Sequence, residues 1–215
     1  HLPTVDYPSN GRKGTQFAKQ ELTKLTGMVS NKEATVATTS KPGPALIKFA
    51  SAIRNEDLSS IILSDPLLTD YGNLMCASVA TEGSQSGSLI RRKLSSLADL
   101  FLTMKEINSR VIEVKDVINS RNWDSFVEAI RKKAGWDANF KRYRAPTLVR
   151  LVGIDVFGLA QHAVSFATIR EDMQLKEQVK NWLVVKKDRF HLEIGKSADM
   201  DYKKKKREAK KTSPL

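Results

Sequence analysis

The chain has 215 residues, 40% of them hydrophobic, and carries 36 Lys plus Arg against 24 Asp plus Glu, a formal net charge of +12. That length and apolar content suffice for the core of one large or two small domains, while the basic excess points to phosphate polymers or anionic membrane surfaces as partners. Cys76 is the only cysteine, which excludes an internal disulfide and a paired-cysteine zinc site, and no run reaches the ~18–20 apolar residues of a bilayer span.

A soluble protein without integral membrane insertion is therefore expected, and the lack of Asn-x-Ser/Thr sequons makes an intracellular compartment the default. The first residue is His1 rather than Met, as in a processed product or a fragment. Residues 1–14 contain Pro3, Pro8, Gly11 and Gly14 with no apolar period and read as an extended N-terminal arm. From Thr15, the spacing of Ala18, Leu22, Leu25 and Val29 predicts a short helix, and the Thr-rich stretch after it a loop.

Pro44 is placed to open a helix bearing Leu46, Phe49, Ala50 and Ile53. A second short helix is expected from Glu56 or Asp57, with Leu58, Ile61 and Ile62. Asp65 followed by Pro66 is an N-cap followed by proline at the first helical position, so a third should run to about Thr81. Glu82–Ser88, EGSQSGS, breaks the pattern and is a candidate hinge between two lobes. The longest regular pattern follows, Ile90, Leu94, Leu97, Phe101 and Met104, with Arg91, Arg92 and Lys93 crowding its first turn, where the helix dipole disfavours cations. Arg110–Ile118 fits either strand or helix, and we favour helix. Pro146 restarts the chain into a long apolar segment interrupted by Gly153 and Gly158. An amphipathic helix through Leu175, Val179, Trp182 and Leu183 comes next, and RFHLEI reads as a strand or a docked tail. Residues 196–215 have no apolar face and should be disordered when free.

Catalytic patterns fail in turn. Gly195-Lys196-Ser197 lacks the glycine that a phosphate-binding P-loop needs five residues earlier, where Phe190 stands. His1, His162 and His191 are too scattered for a linear metal or acid–base motif, and His162 reads as a hydrogen-bonded core residue. Cys76 reads as a small buried residue. The pairs Glu56-Asp57 and Glu171-Asp172 sit near helix starts, where carboxylates favour the dipole without catalysis. A helix-turn-helix at 145–164 is disfavoured because the segment that would read bases is apolar. The chain is not expected to be an enzyme or to need a cofactor.

What remains is Arg121–Arg144, RNWDSFVEAIRKKAGWDANFKRYR. Here seven basic residues against three acidic ones give +4, and five of the chain's fifteen aromatics are interleaved with them. Trp123, Phe126, Val127 and Ile130 recur at helical spacing, as do Trp136, Phe140 and Tyr143, so both sets are assigned to helical core faces. That phase turns Lys132, Lys141 and Arg142 outward. Arg131, Lys132, Lys133, Lys141, Arg142 and Arg144 are the candidate phosphate ligands, with Arg91 and Arg92 behind them. Eight basic and three acidic residues in 196–215 add +5, so the excess is concentrated.

The expected fold class is mainly α: a multi-helix core over 15–195 between the extended arm 1–14 and a basic, disordered tail 196–215. This architecture resembles the helical capsid proteins and nucleoproteins of RNA viruses. The resemblance implies an arm or tail that links subunits into a homo-oligomer or filament, and a basic groove that holds several nucleotides. It also implies non-catalytic, sequence-independent packaging of single-stranded RNA (or DNA) in a virion or host cytoplasm, with nuclear import through the basic tail as a further option. The alternative is a helical adaptor or matrix-type protein whose tail binds an anionic membrane or an import receptor.

Overall fold

Proline and capping side chains set most of the helix starts. The computed structural model describes residues 41–79 and 85–212, and within them the chain is mainly α-helical. Helix α1 (Pro44–Ser51) opens on its proline, as expected. Asn55 caps α2 (Glu56–Ser64) by accepting from Asp57 N and Leu58 N, with Glu56 and Asp57 in the first turn. Asp65 Oδ1 caps α3 (Pro66–Val79) by accepting from Leu68 N at 2.9 Å, and its Oδ2 accepts from Val114 N at 3.1 Å. Burial raises the Asp65 carboxyl pKa above its ordinary value, partly offset by those backbone bonds. The arm 1–14 and the helix expected from Thr15 lie outside the described residues.

The next helix, α4 (Gln85–Ile107), begins inside the stretch read as a hinge. Residues 85–88 are its first turn, and Gly87 lies so close to the Phe49 ring of α1 that a Cβ would stand 2.8 Å from Cε1. Helices α1–α3 and α4 share one hydrophobic core, so the two sides of the stretch are not separate lobes. The earlier start also moves Arg91–Lys93 out of the first turn, which removes the dipole conflict.

The helix favoured for Arg110–Ile118 is not formed. Asp116 Oδ2 accepts from Ile112 N and Glu113 N at 2.9 and 3.0 Å, and only Val114–Ile118 coils, as a 3-10 turn. Val111, Val114 and Val117 are all buried, a spacing of three that suits the 3-10 period better than 3.6. A second 3-10 turn, Ser120–Asn122, leads into α5 (Trp123–Ala134).

Helix α6 (Pro146–Ile169) runs without a break through Gly153 and Gly158, so the segment 145–164 has no turn of the kind a helix-turn-helix needs. It is long and apolar enough to cross a membrane by length and composition, contrary to the reading of the sequence. It nevertheless packs as a core helix: Val149, Val152, Val156, Leu159 and Ala163 are buried, and so is Asp155. Gly153 is a contact requirement. The Phe190 ring rests on it, and a Cβ there would stand 2.6 Å from Cζ.

Asp172 Oδ1 accepts from Leu175 N to cap α7 (Met173–Phe190), whose Leu175, Val179 and Trp182 face the core. RFHLEI is neither strand nor docked tail. His191–Gly195 forms a π-helical turn with Ile194 and Gly195 buried, and the chain continues into α8 (Lys196–Thr212). Over residues 196–212 the tail expected to be disordered is therefore helical. Extending an existing helix needs no new nucleus, Lys, Arg, Glu and Ala are good helix formers, and buried Ala198 docks the first turn. Gly195-Lys196-Ser197 lies within this helical run and makes no phosphate loop.

Candidate nucleic-acid interface

Over α5 the aromatic residues pack as their helical phase predicts. Trp123 and Phe126 are buried against Trp182 of α7, with ring centroids 5.3–6.2 Å apart. Trp123 Nε1 donates to Glu193 Oε2 at 3.0 Å, so the π-turn is tied to this cluster. The indoles are thus committed to the core.

The second half of the stretch departs from expectation. Gly135 caps α5 in the left-handed conformation, φ 63°, and the chain turns into a hairpin of β1 (Trp136–Asp137) and β2 (Arg142–Tyr143). Trp136 pairs with Tyr143, and Asp137 with Arg142. Asp137 Oδ1 accepts from Asn139 N and Phe140 N at 3.0 and 3.1 Å, and Lys141 closes the loop at φ 47°. The i, i+4, i+7 spacing of Trp136, Phe140 and Tyr143 is therefore not a helical face. Tyr143 is buried and its ring lies 4.6 Å from that of Trp136, but Phe140 at the tip is 68% exposed.

The hairpin splits the expected basic row. Arg131 is half-buried: its Nη2 donates to the Glu193 carbonyl at 3.2 Å and its guanidinium lies 5.7 Å from the Trp136 ring centroid. Lys132 pairs with Glu106 of α4 at 2.8 Å. Lys133 pairs with Asp99, also of α4, and its side chain is only 13% exposed. Burial holds the Lys133 ammonium pKa below the usual lysine range. Arg92 makes a bidentate pair with the buried Asp155, Nη1 to Oδ2 at 2.8 Å and Nη2 to Oδ1 at 3.1 Å. Arg91 is half-buried on α4. Arg131, Lys133 and Arg92 are thus structural cations rather than free phosphate ligands, and Lys132 is shared with a carboxylate.

Lys141, Arg142 and Arg144 are exposed as expected, and α8 lies alongside them. Asp201 Oδ2 accepts from Tyr143 N at 2.7 Å, and Lys205 Nζ donates to the Arg144 carbonyl. Arg150 of α6 pairs with Asp199 at 3.5 Å and lies 4.9 Å from the Tyr202 ring centroid. These contacts use the inward side of α8, so Lys203, Lys204, Lys206 and Arg207 are exposed. Two basic groups that are separate in sequence, the hairpin and the tail, are thereby carried on elements docked on each other. Arg150 has no signal of its own in the sequence, because the residues that hold it are about 50 positions away.

His162 behaves as read, with Nε2 3.0 Å from Asp70 Oδ2 and a side chain 9% exposed. Cys76 is buried, and burial raises its thiol pKa. Among the described residues no group of His, Cys, Asp and Glu is arranged to hold a metal ion. Compared with protein-family models, with curated proteins and with solved structures, the chain matches none of them.

Proposed function

We propose that this chain is a non-catalytic helical protein that binds single-stranded RNA or DNA largely without regard to sequence, through the face formed by the hairpin and α8, and coats it as a self-associating subunit. The observation that carries the reading is the joining of Lys141, Arg142 and Arg144 to Lys203, Lys204, Lys206 and Arg207 by the Asp201–Tyr143 and Lys205–Arg144 hydrogen bonds. Exposed cations on two docked elements present a surface that a phosphodiester backbone can follow.

A bilayer is the weaker partner. Helices that lie in a membrane interface need an apolar face opposite the charged one. On α8, Met200 is the one exposed large apolar side chain among the described residues.

Binding should fall steeply with salt. If about six phosphates are neutralised, log K against log salt for a labelled random-sequence single-stranded 20-mer should have a slope of roughly −4, from about −0.7 per phosphate. Fluorescence anisotropy between about 50 and 300 mM salt measures it. A salt-independent affinity, or no binding at the lowest salt, would contradict the reading.

A further inference from the structure

The hairpin tip carries an exposed ring that the core does not use. Phe140 is 68% exposed, yet its backbone is fixed from both sides. Asp137 Oδ1 accepts from its N–H, Trp136 and Tyr143 anchor the base of the hairpin, and Lys141 closes the loop in a left-handed conformation. The Arg142 guanidinium lies 4.8 Å from the Phe140 ring centroid. One cation thus sits on the ring, and the rest of the ring is left to solvent.

A single exposed apolar side chain is ordinary on a protein surface; what sets Phe140 apart is that its ring is held on a fixed loop with a guanidinium against it. The flanking charges indicate which kind of occupant suits it. Lys141 and Arg142 follow the ring directly in sequence, Arg144 comes after the buried Tyr143, and all three cations are exposed. An apolar protein partner would have to desolvate these cations beside the ring, whereas a nucleotide offers a flat base to the ring and a phosphate to the cations. Guanidinium, ring and base can then form one stack, with charge and π-face satisfied together.

We propose that Phe140 is a base-stacking platform on the basic face, so that the preferred ligand is a nucleic acid with unpaired bases rather than a duplex or a polyanion without bases. This inference rests on the nucleic-acid reading given above. Stacking is indifferent to base identity, because every base has a π-face, and this agrees with sequence-independent binding. A base held within a duplex stack is not available to the ring, so the platform discriminates strand state rather than sequence.

The test uses the full chain, a fluorescein-labelled 20-mer of thymidine nucleotides, and an abasic strand of the same length and charge. Phe140→Ala and Phe140→Leu should each weaken binding to the thymidine strand roughly ten-fold. Both should leave the abasic strand and the salt slope unchanged, and Phe140→Trp should retain wild-type affinity. The side chain is exposed, so none of these changes is expected to affect folding. Equal affinity of Phe140→Ala and wild type for the thymidine strand would overturn the platform while leaving the electrostatic reading intact. So would full retention by Phe140→Leu, since that residue is apolar without a ring. If the wild type bound neither strand, the nucleic-acid reading itself would fall, and the platform with it.

Discussion

Replacing Lys141, Arg144, Lys203, Lys204, Lys206 and Arg207 together by Gln should weaken binding to single-stranded nucleic acid by at least about 10³-fold at about 50 mM salt, and flatten the salt dependence. All six side chains are exposed. Their loss should leave the fold intact, because exposed substitutions away from caps and ion pairs cost little. On α8 the change also removes like-charge repulsion at i, i+3 and i, i+4, such as Lys203–Lys206 and Lys203–Arg207, and Gln is as good a helix former as Lys. Lys205 is left in place because it holds α8 to the Arg144 carbonyl. The companion variant, Arg131, Lys132 and Lys133 to Gln, should bind nearly as well as the wild type per folded molecule, since Arg131 is held by the Glu193 backbone carbonyl and Lys132 and Lys133 pair with Glu106 and Asp99. Its deficit should appear in thermal stability. The opposite ranking in anisotropy titrations would return the binding surface to α5.

Arg92→Ala should cost about 3–5 kcal/mol of stability, because it strands the Asp155 carboxylate inside α6 without a counter-charge. Asp155 has a fully buried side chain, whereas that of Arg92 is 37% exposed. The pair is therefore held by geometry at the carboxylate and only partly desolvated at the guanidinium. Urea unfolding followed by far-UV circular dichroism measures the loss. Replacing both partners, Arg92→Met with Asp155→Leu, should recover most of it, since a matched apolar pair leaves no buried charge. If the single change cost under about 1 kcal/mol, the pair would be a surface contact of the ordinary kind. Arg92 would then return to the list of cations free to meet phosphate.

These expectations differ from those of the sequence at identifiable residues. Local signals were readable: Pro44, Pro66 and Pro146 open helices, Asp65 caps one of them, the Glu171-Asp172 pair marks the start of another, and the spacing of Ile90 to Met104 and of Leu175 to Trp182 marks the buried faces. Helical phase also assigned Trp123 and Phe126 to the core correctly. It failed past Gly135, where Trp136, Phe140 and Tyr143 keep a helical period inside a hairpin. The contrary signs were Gly135 itself, a left-handed cap, followed by the turn formers Asp137 and Asn139.

The tail was misread for a different reason. A helix is nucleated once, and α8 inherits its start from α7 through the π-turn at His191–Gly195, so it needs little apolar face of its own. The role of each cation was the least readable feature. Whether Lys133 or Lys141 is free depends on carboxylates tens of residues away, Asp99 in the first case, and no linear spacing records that.

The central claim is that the hairpin and α8 form a single nucleic-acid face. Photo-crosslinking the full chain to a single-stranded oligonucleotide carrying 5-bromouracil, with the adducts located by mass spectrometry, tests it most directly. The account predicts adducts on Phe140 or its immediate neighbours, and on the stretch from Tyr202 to Arg207. Adducts confined to the α4–α5 surface around Glu106 and Lys132, with the hairpin and α8 unmodified, would contradict it.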